Sequence, residues 1–201
     1  MIRVLIAEDQ TLVRGALRAL LELEEDLEVV AEVGRGDAVV PAAVEHRPDV
    51  ALLDIEMPGG DGIEAARDLA AALPACRAVI LTTFGRPGFL RRAMEVGAAG
   101  FLVKDAPVAE LARGIRAVMA GERVIDRELA AAALAIGATP LSAREADVLR
   151  AAADGATVAD IAGRLFLSEG TVRNYLSSAI GKTGARTRVE AARVAAEKGW
   201  L

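Results

Sequence analysis

Along the first 120 residues, short apolar runs alternate with helical patterns. Ile2-Arg3-Val4-Leu5-Ile6 reads as a strand, and Leu12, Ala16, Leu20 and Leu23 then recur near helical spacing from about Thr11 to Leu23. Leu27–Val33 predicts a second strand, followed by a helix that Asp37 can cap and that runs to about Glu45, with Pro41 in its first turn or so. Val50-Ala51-Leu52-Leu53 lacks polar alternation, as expected of a strand buried on both faces. Ala78–Leu81 and Gly100–Val103 predict two more strands, and helices are expected over about 62–73, 87–96 and 107–119, the last starting at Pro107. Five βα units at this spacing predict an α/β fold, a doubly wound five-stranded parallel sheet covered by helices. In such sheets ligands gather outside the carboxyl ends of the strands.

The pattern breaks after Gly121. Residues 121–139 read as a tether, with a short helix over Leu129–Ile136 and a hinge at Gly137-Ala138-Thr139-Pro140. From 140 to 201 there are four helical segments and no strand pattern. Ser142 stands three residues before Glu145, the spacing of a capping box. The helix it starts is expected to stop at Asp154-Gly155, and Thr157 caps the next, Val158–Leu165. Ser168 caps a helix from Glu169 to about Lys182, and Thr187 caps the last, Arg188–Lys198. Two helices joined by a few residues, the second capped by Ser, form a helix-turn-helix pattern. Any small helical bundle has similar joints, so spacing alone does not assign DNA binding.

Composition narrows the picture. Of 201 residues, 53% are hydrophobic but only 3% aromatic, and 43 are alanine, so the interior is built from small aliphatic side chains and rich in helix. No run of 18 apolar residues occurs, and no leader precedes the first strand, which argues for a cytoplasmic protein without membrane spans. The single cysteine, Cys76, excludes an intramolecular disulfide, and the single histidine, His46, excludes metal sites built on several imidazoles. Both read as structural or surface residues. The net charge of −5 is unevenly divided: residues 1–120 carry 13 basic and 19 acidic side chains, residues 121–201 carry 11 and 10. Within 164–188, Arg164, Arg173, Lys182, Arg186 and Arg188 face only Glu169, a basic stretch able to meet phosphate.

Candidate chemistry falls at one edge of the predicted sheet. Glu8 and Asp9 follow the first strand, Asp54 ends the third, Thr82 and Thr83 end the fourth, and Lys104 ends the fifth. Crowded carboxylates need a compensating charge, and a hard cation such as Mg2+ takes oxygen ligands. Lys104 suits a phosphoryl oxygen, a threonine hydroxyl donates a hydrogen bond, and Asp54 is the natural nucleophile toward phosphorus. Strand-end acids also serve as caps and surface charges, so the residues by themselves leave that reading open. Neither Gly34-Arg35-Gly36 nor Gly59-Gly60 has phosphate-loop spacing.

With these residues quoted, the chain resembles the two-component response regulators of the NarL/FixJ type. Its front domain, 1–120, is similar to their receiver. The matching motifs are Glu8-Asp9; Leu52-Leu53-Asp54-Ile55-Glu56-Met57-Pro58-Gly59-Gly60-Asp61-Gly62; Ile80-Leu81-Thr82-Thr83-Phe84; and Gly100-Phe101-Leu102-Val103-Lys104-Asp105. Domain 140–201 resembles the LuxR-type helix-turn-helix domain through Leu141-Ser142-Ala143-Arg144-Glu145, Ala159-Asp160-Ile161-Ala162 and Leu167-Ser168-Glu169-Gly170-Thr171-Val172-Arg173-Asn174-Tyr175. Many receivers follow the lysine with proline; this chain has Asp105, as the NarL/FixJ type often does.

The resemblance implies that Asp54 is the phosphoacceptor, assisted by Lys104 and Thr82, and that Thr82 and Phe101 are the switch pair. It implies Mg2+ held by Asp9, Asp54 and the backbone carbonyl of Glu56, with Glu8 acting through water. On the recognition helix Val172 and Leu176 should face the bundle, and Arg173, Asn174 and Ser177 point outward. Arginine pairs well with guanine and asparagine with adenine. Thr171, Tyr175 and Lys182 are read as phosphate contacts. The implied partners are a sensor histidine kinase, double-stranded DNA and a second copy of the chain on activation, without membrane. No enzymatic role is expected beyond the receiver's own phosphorylation and dephosphorylation. A magnesium-dependent phosphoaspartate phosphohydrolase is the competing reading, but Asp9-Gln10-Thr11 lacks the second aspartate such enzymes carry. A regulator whose receiver works without phosphorylation is a third, opposed by intact Asp9, Asp54, Thr82 and Lys104.

Overall fold

The computed structural model describes residues 1–83, 87–104, 108–125, 129–131, 135, 139–153 and 155–201. The chain forms two compact units, the first made of Met1–Gly85 and Leu90–Ala130 and the second chiefly of Ala131–Leu201. In the first, strands β1 (Ile2–Ala7), β2 (Leu27–Val33), β3 (Val50–Asp54), β4 (Arg77–Thr82) and β5 (Gly100–Val103) alternate with helices α1 (Thr11–Leu21), α2 (Val39–His46), α3 (Gly62–Ala72), α4 (Pro87–Glu95) and α5 (Val108–Met119). These strands are all parallel, in the order β2-β1-β3-β4-β5. Every residue of central β3 is buried, in keeping with its unbroken apolar run. One face of the sheet packs Val4, Ile6, Leu52, Val79 and Leu81 against Leu21 of α1 and Leu111, Ile115 and Val118 of α5.

The sheet has six strands, not the expected five. β6 (Val124–Ile125) adds to the edge beside β5, pairing Val124 with Gly100 and Ile125 with Phe101. It lies in the stretch read as tether. Gly114 on α5 makes room for it: a Cβ there would sit 3.1 Å from Leu102 Cδ1 and 3.6 Å from Val124 Cγ1. A second correction concerns Asp37. It does not cap α2, because its carboxylate is taken by Arg35 at 2.8 and 3.0 Å, and a short 3-10 turn over Gly36–Ala38 leads into the helix instead. The expected start of α5 at Pro107 and most of the expected hinge lie outside the described residues, as does Asp154; helical backbone is present at 129–131 and 135.

The second unit contains α6 (Ala143–Ala153), α7 (Val158–Leu165), α8 (Glu169–Thr183) and α9 (Arg188–Glu197). The expected caps are in place. Ser142 Oγ accepts from Glu145 N at 3.3 Å while the Glu145 carboxylate accepts from Ser142 N at 2.6 Å. Thr157 and Asp160 form a second capping box, and Ser168 and Thr187 accept from Thr171 N and Glu190 N, each at 3.1 Å. α7 ends on Phe166 in the left-handed region (φ 54°), its ring almost wholly exposed, and α8 begins three residues later. The core joins Val148, Leu149, Ile161, Val172 and Leu176 with six or more alanines, among them Ala152, Ala179, Ala191 and Ala195.

Candidate functional site

Parallel pairing brings the carboxyl ends of β1, β3, β4 and β5 side by side, and with them the side chains that follow each strand. Glu8 and Asp54 are buried, Thr82 is buried, and Asp9 is exposed at the mouth. One carboxylate oxygen from each of Glu8, Asp9 and Asp54 lies within 4.8 Å of the others. The Lys104 ammonium sits 2.6 Å from Glu8 Oε2 and 2.9 Å from Asp54 Oδ1. Asp54 Oδ1 also accepts from Ile55 N at 2.8 Å, and Glu8 Oε1 from Gln10 N at 3.2 Å. Lys104 N donates to Thr82 O at 2.7 Å, so the threonine and lysine ends are tied through the backbone.

The loop after Asp54 depends on Gly62. A Cβ at that position would stand 1.9 Å from the Asp54 carbonyl oxygen, and Gly62 N donates to Ile55 O at 3.0 Å. Only glycine lets α3 start against the end of β3. Asp61 caps α3 through Glu64 N at 2.7 Å, and its other oxygen accepts from Arg92 of α4 at 2.8 Å.

Electrostatics follow from burial. Desolvation pushes the carboxyls of Glu8 and Asp54 above their ordinary range, with Lys104 opposing the shift at both. Burial alone would lower the Lys104 ammonium, but the two carboxylates outweigh it and raise it. Three carboxylates against one ammonium leave an imbalance that one divalent cation would neutralise, and an all-oxygen donor set suits a hard ion.

The comparisons with known proteins agree with this geometry. Residues 4–116 match the response regulator receiver domain, and residues 139–195 match the bacterial regulatory proteins of the luxR family. The chain belongs to the two-component response regulators of the NarL/FixJ type. It is 46% identical to the transcriptional regulatory protein DesR and 45% identical to the transcriptional regulatory protein YvfU, both of Bacillus subtilis (strain 168), over the full length of each chain. A solved structure of two RcsB dimers bound to two parallel DNAs is similar to it, with a TM-score of 0.69 and 26% identity over 98% of each chain. This protein is a DNA-binding transcriptional response regulator.

Within the regulator, Phe101 is fully buried in β5, opposite Ile80 of β4 and Ile125 of β6. Glu56 is exposed on the loop after β3. On α8, Val172 and Leu176 are buried while Arg173, Asn174 and Ser177 are exposed, as their spacing requires. Arg173 is held by Glu169 at 2.6 Å, one turn back. Thr171 shares a 2.8 Å hydrogen bond with Ser168, and Tyr175 packs partly onto the domain core. Lys182, expected as a phosphate contact, has its ammonium 2.7 Å from the buried carboxylate of Glu145. Sequence reasoning assigned Glu145 only to a helix cap. The partnership spans 37 residues, and its one local trace is the one-turn spacing of Ser178 and Lys182. His46 closes α2 with its ring partly exposed, and the Cys76 thiol is pushed up to about 12 by burial and by nearby Asp49. Neither belongs to the site.

Proposed function

We infer that the regulator is switched by transfer of a phosphoryl group from the phosphohistidine of a sensor histidine kinase to Asp54, and that this drives dimerisation and binding to paired DNA sites. The observation that carries the reading is the buried Asp54 carboxylate with Lys104 at 2.9 Å on Oδ1. Lys104 Nζ pairs with Oδ1 at 2.9 Å and Ile55 N donates to Oδ1 at 2.8 Å, which favours Oδ2 as the attacking oxygen. The bond from Oδ2 to phosphorus forms as the bond from phosphorus to the histidine nitrogen breaks. Lys104, already shared between Glu8 and Asp54, neutralises charge on the transferring group. Mg2+ held by Asp9, Asp54 and the Glu56 carbonyl, with Glu8 acting through water, would supply further neutralisation of the phosphoryl oxygens. Thr82 then hydrogen-bonds the acquired phosphoryl oxygen, and Phe101 follows it. The protein is a phosphoacceptor whose only catalysis acts on its own phosphoryl group, and it works in the cytoplasm. No helix among the described residues is long and apolar enough to cross a membrane.

For self-association, α1 is the better-supported face. Leu12 is 86% exposed, with Ala16 and Ala19 exposed on the same side of the helix, and Leu23 in the turn just after it is 78% exposed. An apolar groove of about 330 Å³, lined by Leu12, Val13, Ala16, Leu17, Leu20 and Leu111, opens beside them.

Incubation with Mg2+ and acetyl phosphate, followed by mass spectrometry, tests the chemistry: one acid-labile phosphoryl group should map to Asp54 and be absent from Asp54→Ala. A label on any other residue of the wild-type protein contradicts the assignment. Sedimentation of the labelled protein should show a dimer that Leu12→Asp abolishes while labelling persists. An unaffected dimer removes α1 from the interface.

A further inference from the structure

We propose that Glu145 and its two partners on α8, Ser178 and Lys182, fix the roll of the recognition helix, which makes Lys182 a positioning residue of the DNA site and not a phosphate contact. The inference rests on α8 being the helix that meets DNA. The Glu145 carboxylate is buried yet takes three donors. Oε1 accepts from Ser178 Oγ at 2.6 Å, and Oε2 accepts from Ser142 N at 2.6 Å and from Lys182 Nζ at 2.7 Å. A buried carboxylate with this many donors stays ionised and directional, and losing one donor leaves charge uncompensated.

The geometry gives this group leverage. Ser178 and Lys182 lie one turn apart, so α8 is held at two points along its axis. At about 100° per residue, they stand roughly 100° around the helix from the buried stripe Val172, Leu176 and Ala179, and about as far from the outward Arg173, Asn174 and Ser177. They occupy the flank between core and DNA face, where a tether to α6 opposes rotation of α8 about its axis. Part of the apolar packing around α8 is made by small side chains. α8 buries Val172, Leu176 and Ala179 and packs Tyr175 and Ile180 against the core, and on one side α9 meets it with Ala191, Ala192 and Ala195. Alanine surfaces have shallow ridges that interdigitate little. A hydrogen-bonded ion pair at the flank adds a directional restraint to this packing.

An internal control exists. Asp160 on α7 forms the same kind of capping box with Thr157, but it is exposed and its recorded hydrogen bonds are all to Thr157. Removing it costs a cap without releasing α8.

The test uses the full-length regulator and two duplexes, one selected from random DNA and one scrambled. Affinity is measured across a salt series at a temperature where circular dichroism shows each variant folded. If Lys182 positions α8, Lys182→Met and Ser178→Ala each lower the ratio of selected to scrambled affinity by about tenfold, the discrimination one bidentate base contact supplies. The salt slope on scrambled DNA stays at the wild-type value. Joining Ser178→Ala to Lys182→Met adds little further loss, and Asp160→Asn leaves the ratio unchanged. If Lys182 instead contacts phosphate, Lys182→Met weakens both duplexes equally and lowers the slope by about 0.9, and the proposal is overturned. An unchanged ratio and slope, or an equal loss of ratio in Asp160→Asn, overturns it as well. Arg173→Ala and Asn174→Ala, run in parallel, separate this from failure of the underlying reading: if neither alters the ratio, α8 is not the helix that reads DNA.

Discussion

Single residues in this regulator are set by what surrounds them more than by their type. Glu8, Asp54 and Glu145 are all buried carboxylates, yet their affinities for protons move in opposite directions. At Glu8 and Asp54 desolvation wins, and one ammonium is shared between them. At Glu145 burial also raises the carboxyl, but Lys182, Ser178 and Ser142 together outweigh it and hold it at about 2. A folded value below the unfolded value of 4.5 means that Glu145 contributes stability that is fully present above pH 4.5 and lost as pH falls toward 2. The contribution is on the order of 3 kcal/mol from the size of that shift. Trp200 is the only tryptophan and packs on the second unit's core, so its fluorescence reports that unit's unfolding. Urea titrations from pH 5 to pH 2.5 should show wild type losing more stability than Glu145→Gln. Parallel losses in the two proteins contradict the account.

At the level of elements, the joint between β3 and α3 shows how closely backbone segments approach. With a Cβ 1.9 Å from the Asp54 carbonyl, Gly62→Ala must displace either strand or helix, because a backbone atom has no rotamer to yield. The receiver should lose ~3 kcal/mol or more, in the range of severe steric substitutions, and label poorly at Asp54. Near wild-type thermal stability contradicts the packing described here. The elements themselves were largely legible in the sequence. The first five strands follow from apolar runs, and the Ser142, Thr157, Ser168 and Thr187 caps from hydroxyls three residues before the amide they accept. β6 was not, because Val124-Ile125 is a two-residue run behind Glu122-Arg123, too short for any period to register. Asp37 misled for a different reason: its local signal as a cap is outcompeted by the guanidinium two residues earlier. The acidic pocket was readable because parallel strands bring their ends to one edge. The Glu145–Lys182 pair was not, because it depends on how two helices pack.

For the molecule as a whole, the division of charge matches the division of labour. The receiver is acidic and holds the cluster of Glu8, Asp9 and Asp54, and the second unit carries the basic stretch. A lone recognition helix with few free cations binds one half-site weakly, so joining two copies on one duplex adds their contacts through effective concentration. Phosphorylation is felt at DNA only if it biases an equilibrium that dimerisation shares, and linkage then makes the effect reciprocal. The most direct measurement is the affinity for a duplex carrying two half-sites, read by anisotropy with and without acetyl phosphate and Mg2+, in wild type and Asp54→Ala. The account predicts tighter binding of the phosphorylated wild type, a much smaller gain on a single half-site, and no gain in Asp54→Ala. Equal gains in wild type and Asp54→Ala, or none in either, would contradict it.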